Sequence, residues 1–202
     1  QYSRIARGLE KADLVLKNAR IVNVFTEEII RGDIAIQDGI IAGIGSFHGK
    51  EERDLAGRYV CPGFIDSHLH LESTLVTPAE LVTAASRHGT TTFIVDPHES
   101  ANVSGLAGID YILDQTEDVK ANVYVMMPSC VPATAIDDNG CTLTAEDMVP
   151  YLHNSRILGL GEVMDSISVV QGEKSMHDKL ELFEGRIRDG HAPFLEEGDL
   201  QA

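Results

Sequence analysis

The sequence predicts an α/β protein made of two segments: a small β-sandwich segment over residues 1–60, then the first half of a (β/α)8 barrel over residues 61–202. Two observations predict this. Before residue 60 the apolar residues alternate in short, β-branched runs, whereas from Cys61 onward strand-like runs alternate with helical ones, the pattern of parallel βα units. Length sets the limit, because a barrel of this kind typically takes about 250 residues. Fewer than that remain after residue 60, so the chain is expected to stop near the fifth strand, before a barrel could close.

In the first segment, "DLVLKNARIVNV" and "GDIAIQDGIIAGIG" alternate, and Asp38-Gly39 is a hairpin-turn signal. Gly43, Gly45 and Gly49 do not have the dinucleotide-binding spacing and precede no helical pattern, so they are read as turn glycines. In the second segment, "GFIDSHLHL" opens the first strand. "TPAELVTAASRHG" follows as a helix, with Thr77 as N-cap, Pro78 at the first position, Glu80 closing a capping box and Gly89 ending it. "TTTFIVD", "ANVYVMMPSC" and "RILGLGEVM" read as the next three strands. Helices are expected across "LAGIDYILDQTEDV", across "TAEDMVPYLHN" with Thr144 as cap, and across "SMHDKLELFEGRIRDG"; "HAPF" reads as the start of strand five. A doubly wound open sheet fits the same periodicity.

Side chains two apart on a strand share a face, so His68 and His70 point the same way and can hold one divalent cation. An isolated His-x-His pair is equally consistent with structural or surface histidines. Glu162 ends the fourth apolar strand, where an unpaired carboxylate is costly to bury but can bridge two cations; the alternative is a solvated strand end. His191 opens the fifth strand, or is a loop histidine. Convergence of these four residues from three strand ends points to a metal site more strongly than any one alone. Asp66, of the same parity, either orients an imidazole or satisfies backbone. His98 and Glu99 in "DPHES" and Ser129 in "PSCVPAT", both segments read as βα loops, and Glu72 at the rim are candidate substrate contacts; the alternative for such loop polar groups is plain solvation. His48, His88, His153 and His177 are read as structural. The sequence has no HExxH motif and no GxSxG elbow. His70-x-Glu72 lacks the PCxxC that a cytidine-deaminase zinc site requires.

"PGFIDSHLHLES", "HGTTTFIVDPHESANVSG", "MMPSCVPAT", "LGLGEVM" and "DGHAP" occur in the order seen in the adenine deaminases of the amidohydrolase superfamily, and the chain resembles that family from about Asp13 to its last residue. The resemblance implies a (β/α)8 barrel with a β-sandwich built from both chain ends. It also implies hydrolysis of adenine to hypoxanthine and ammonia by a metal-activated hydroxide at a binuclear iron or manganese centre, with zinc chemically acceptable. His68 and His70 would hold one metal, Glu162 would bridge, and His191 would hold the second. The family's strand-six histidine and strand-eight aspartate, the latter its proton shuttle, have no counterpart in this sequence, so the chain alone is expected to be inactive. Two other readings stand beside this one: a cyclic-amide hydrolase of the dihydroorotase or hydantoinase kind, which usually bridges its metals with a carboxylated lysine where Glu162 stands, and a non-catalytic module.

A net charge of −16 argues against nucleic acid as a partner, since binding phosphates requires a basic surface. There is no apolar run of about 18 residues that could span a membrane. The three cysteines, Cys61, Cys130 and Cys141, form no pairing framework. The expected setting is the cytoplasm, with a small purine as substrate. An unfinished sheet edge favours association, so a homo-oligomer is expected.

Overall fold

The computed structural model describes residues 1–134 and 136–201. The chain packs as two units, Gln1–Pro62 and Gly63–Ala202.

The first unit holds helix α1 (Tyr2–Ala6) and strands β1 (Ala12–Asn23), β2 (Glu28–Gln37), β3 (Ile40–Gly45), β4 (Gly49–Asp54) and β5 (Tyr59–Val60). They form one sheet of order β3-β2-β1-β4, with β5 also on β1. Asp38 and Gly39 both have positive φ (50° and 74°), so the β2–β3 loop is the type I′ turn that matches strand twist. A β-sandwich needs two sheets, and among the described residues this unit forms one. It is apolar on both faces: Ile5, Ala12, Val15, Ala35 and Phe47 make one cluster, and Ala19, Ile21 and Ile34 make another.

The second unit is a parallel sheet of β6 (Phe64–Leu69), β7 (Thr90–Val95), β8 (Asn122–Pro128), β9 (Ile157–Val163) and β10 (Ile187–Gly190), in the order β10-β9-β8-β7-β6. Spatial order follows chain order without reversal. A doubly wound sheet reverses at its switch point, so these five strands have the arrangement of a curled half-barrel wall instead. Helices α2 (Pro78–Ser86), α3 (His98–Ser104), α4 (Leu106–Gln115), α5 (Ala145–Met148), α6 (Ser166–Gln171) and α7 (Lys174–Leu182) connect them. Phe93, Val95, Val123, Val125, Met127, Ile157 and Leu160 form the core with Ile109, Ile112, Met148 and Phe183 from the connections. No helix among the described residues is long and apolar enough to cross a membrane.

Local chemistry explains most boundaries. Thr77 caps α2, its hydroxyl accepting from the Glu80 amide at 3.4 Å with Pro78 at the first position; among the described residues the Glu80 side chain does not return a bond to the Thr77 amide, so the box is half formed. The complete capping box is at Thr144–Asp147 on α5. Pro150 then narrows the chain into a 3₁₀ turn, Val149–His153, rather than a continued α-helix. Three expectations need correction. "DPHES" is not a loop, because its His98 opens α3. The short helix α6 was not expected. The last predicted helix stops at Leu182: Gly185 adopts φ 78°, and the strand is Ile187–Gly190, one step before "HAPF".

Candidate metal centre

Leu69 and Val95 are register partners, as are Met127 and Leu160, and all four pack toward the helices. Alternation therefore sends His68, His70 and Asp96 to the opposite face, at the C-terminal ends of β6 and β7. Glu162 joins them there. Its carboxylate is the hub: Oε1 lies 2.8 Å from His191 Nε2, 3.4 Å from His68 Nε2 and 3.7 Å from His70 Nε2, while Oε2 lies 2.7 Å from His98 Nδ1. Asp96 Oδ1 is 3.6 Å from the same His98 nitrogen. Glu162 is 6% exposed and Asp96 2%.

Hydrogen bonding accounts for only part of this cluster, the His191–Glu162 Oε1 contact among it. Glu162 Oε2, His98 Nδ1 and both Asp96 carboxylate oxygens are buried without a hydrogen-bond partner. The 2.7 Å approach of His98 to Glu162 lacks hydrogen-bond alignment, so proximity there is not a bond. The His68 and His70 Nε2 atoms are 3.1 Å apart. His70 Nδ1 lies 2.8 Å from the Asp96 backbone carbonyl, which can only accept, so that nitrogen carries the proton. The assignment leaves the Nε2 lone pair of a neutral His70 facing a carboxylate. Acceptors aimed at one another, in a donor set of imidazole nitrogens and carboxylate oxygens, are what a divalent cation resolves.

Two groups have donor atoms within 4.8 Å of one another: His68, His70 and Glu162, and Asp96, His98 and Glu162. Burial pushes the Glu162 carboxyl up, but the His191 hydrogen bond and the charges of His98, His70 and His68 bring it below the ordinary carboxylate range. Burial pushes Asp96 up. The Asp96 carboxylate raises the His98 imidazole against the effect of burial.

The other sequence candidates divide. Asp66 Oδ1 accepts from the His68 amide at 3.3 Å, which satisfies backbone. Glu72 Oε1 accepts from the Glu99 and Ser100 amides at 3.2 and 3.4 Å and so caps α3; burial raises its carboxyl. Glu99 accepts from the Ser73 hydroxyl and, with His98, lines an open groove. Ser129 is fully buried, and its hydroxyl donates to the Glu162 backbone carbonyl at 3.1 Å. Of the histidines read as structural, His48 is 3.3 Å from Glu52 and His177 is 2.9 Å from the Val169 carbonyl; neither joins the cluster. Sequence reasoning passed over Asp96, although it ends an apolar strand just as Glu162 does, which is the signal that singled out Glu162.

Residues 59–190 match the amidohydrolase family. The chain is 60% identical over 195 residues to an adenine deaminase of Desulfitobacterium hafniense, covering 96% of this chain and 34% of that protein. It is 48% identical over 198 residues to adenine deaminase 2 of Carboxydothermus hydrogenoformans, covering 98% and 35%. It thus spans about a third of the length of these relatives. Among solved structures it is similar in fold to the atrazine chlorohydrolase TrzN of Arthrobacter aurescens in complex with zinc, with a TM-score of 0.50, 16% identity, 68% of this chain and 41% of that one. With the family match covering well over half of its residues, the chain belongs to the amidohydrolase family.

Proposed function

We propose that this chain is the metal-holding part of an enzyme that hydrolyses adenine to hypoxanthine and ammonia. The observation that carries the reading is the buried Glu162 carboxylate, faced by four imidazoles and by orphaned acceptor atoms, in a sequence 60% identical to an adenine deaminase. On this reading residues 1–60 contribute to a composite β-sandwich, which would cover a sheet apolar on both faces. Residues 61–202 are the first half of a (β/α)8 barrel. His68 and His70 hold one divalent cation, Glu162 bridges, and His191 serves the second; the donors suit iron or manganese, and zinc as well. His98, Glu99 and Glu72 border the space for a small purine. Asp96 and His98 also offer donors on the Oε2 side of the bridge.

A cation pair held by these residues would supply Lewis acidity and would bring the pKa of a water toward neutrality. The protein's part is to prepare the position. The Asp96 carbonyl fixes the His70 tautomer. Although burial pushes it up, the His191 hydrogen bond and the neighbouring imidazoles hold the Glu162 carboxyl below the ordinary carboxylate range, so it would bring one negative charge to offset part of the charge of two dications. The cyclic-amide alternative is disfavoured because its usual bridge is a carboxylated lysine, whereas this position carries Glu162. We place the enzyme in the cytoplasm as a homo-oligomer.

The test uses a protein of the relatives' full length carrying this sequence, loaded with manganese or iron and assayed for ammonia release from adenine and for opening of dihydroorotate and hydantoin. Adenine turnover is expected. Ring opening without adenine turnover would move the assignment to the cyclic-amide class.

A further inference from the structure

Simple alternation along β9 would carry Glu162 onto the same face as Leu160, into the helix-covered core. A bulge prevents this. Leu160 pairs with Arg188 and Val163 with Gly190, so β9 spends one more residue than β10 between these pairs, and Gly161 and Glu162 together oppose Asp189. The extra residue leaves Leu160 and Val163 both on the core side and returns Glu162 to the face of His68, His70 and Asp96. Register shifts also occur in the β6–β7 and β8–β9 pairs, and bulges concentrate next to active sites.

The bulge forces Glu162 to φ 38°, in the left-handed region where a glutamate is strained. Strain of this kind persists only where surrounding groups over-determine it. Here the neighbours are specific. The Glu162 amide, displaced from the ladder, donates to Asp189 Oδ1 at 2.9 Å. Its carbonyl accepts from the Ser129 hydroxyl at 3.1 Å. Ser129 is itself immobilised: its amide donates to the Gly161 carbonyl at 3.3 Å, and its carbonyl accepts from the buried Lys179 ammonium at 2.7 Å. Both backbone groups of the strained residue are therefore held by side chains, one from β10 and one from the residue that follows β8, and neither holding group lies among the imidazoles.

We propose that Asp189 and Ser129 are positioning residues that lock the Glu162 bulge and thereby aim its carboxylate into the imidazole cluster. This rests on the reading of Glu162 as the cation bridge, and it assigns Asp189 and Ser129 to the backbone of that bridge rather than to metal or substrate. Asp189→Ala leaves the displaced amide without an acceptor. Asp189→Asn keeps an oxygen at the same place and is the conservative rescue. Ser129→Ala removes the second tether at little change in volume.

The experiment measures manganese bound per chain, and its affinity by chelator competition, in the full-length protein and in Asp189→Ala, Asp189→Asn, Ser129→Ala and Glu162→Gln, with circular dichroism as the check on folding. Asp189→Ala and Ser129→Ala are each expected to weaken manganese affinity by about tenfold or more, the usual range for groups that orient ligands, and Asp189→Asn to stay within about threefold of the parent. Parent-like affinity in folded Asp189→Ala and Ser129→Ala, with loss in Glu162→Gln, would overturn the positioning role and leave the bridge standing. Undiminished metal in Glu162→Gln would overturn the bridge itself. Should Asp189→Ala not fold, Ser129→Ala and the rescue by Asp189→Asn carry the same decision.

Discussion

Two of the bulges, one in β1 and one in β9, share a backbone device, a positive-φ residue whose amide donates to an aspartate, and the two differ in a revealing way. In β1, Leu16 and Ala19 pair with Ile34 and Gly32, so Lys17 and Asn18 together oppose Asp33. Asn18 sits at φ 56°, and its amide donates to Asp33 Oδ1 at 3.0 Å. In β9, Gly161 and Glu162 oppose Asp189, with φ 38° at Glu162 and 2.9 Å to Asp189 Oδ1. The frame is the same in both, but the occupant is not. Asparagine tolerates the left-handed region, and the side chain of Asn18 reaches the exposed Asp54 carboxylate at 2.9 Å. Asp33 beside it is fully engaged, by Lys17 at 2.5 Å and by the Asn18 and Phe47 amides. Glutamate has no such tolerance, and its side chain enters a cluster whose polar atoms lack partners. Where residue type suits the backbone and every acceptor is satisfied, the bulge shapes a sheet. Where the residue opposes the backbone and acceptors are left over, the strain is what the proposed cation bridge at Glu162 would explain.

Breaking the second bulge's carboxylate should have the largest effect. Glu162→Gln removes the negative charge proposed to offset part of the cations' charge, and kcat for adenine in the full-length, metal-loaded protein is expected to fall about a thousandfold, since metal-site electrostatics are worth several kcal/mol. Near-parent turnover would return Glu162 to the status of a strained strand end. Next comes the residue beside it. A Cβ at position 161 would overlap Asp96 Oδ2 and crowd the Met126 side chain, so Gly161→Ala must displace the buried carboxylate. Manganese affinity, read by isothermal titration, should drop about tenfold, in the range for lost ligand support; unchanged affinity would detach Asp96 from the metal function. The smallest effect belongs to the structural bulge. Asn18→Ala places alanine at positive φ and should lower local stability by about 1 kcal/mol, seen as faster hydrogen exchange of β1 amides. Asn18→Gly should restore it, and neither variant should alter metal content. A metal loss in Asn18→Ala would erase the distinction between the two bulges.

The sequence showed one of these bulges only as an ordinary strand and the other only as an apolar strand ending in Gly-Glu. A bulge is a property of pairing register, and register depends on a partner strand far along the chain: Asp189 lies 27 residues from Glu162. The shared face of His68 and His70 was legible because period-two alternation is local. The Thr77 and Thr144 caps were legible for the same reason. Helix α3 was not, because its first amides are satisfied by Glu72, a residue 27 positions earlier, and no local cap marks it. The misplaced fifth strand has a local cause. Charged and apolar residues in "LELFEGRIRDG" continue a helical spacing that only the left-handed Gly185 interrupts.

The most direct measurement is anomalous diffraction at the manganese edge from crystals of a full-length protein carrying this sequence. Two peaks are expected, both in contact with the Glu162 carboxylate and one of them also with His68 and His70. Peaks elsewhere, or none touching Glu162, would contradict the central claim that this strained glutamate is the hub of a binuclear centre.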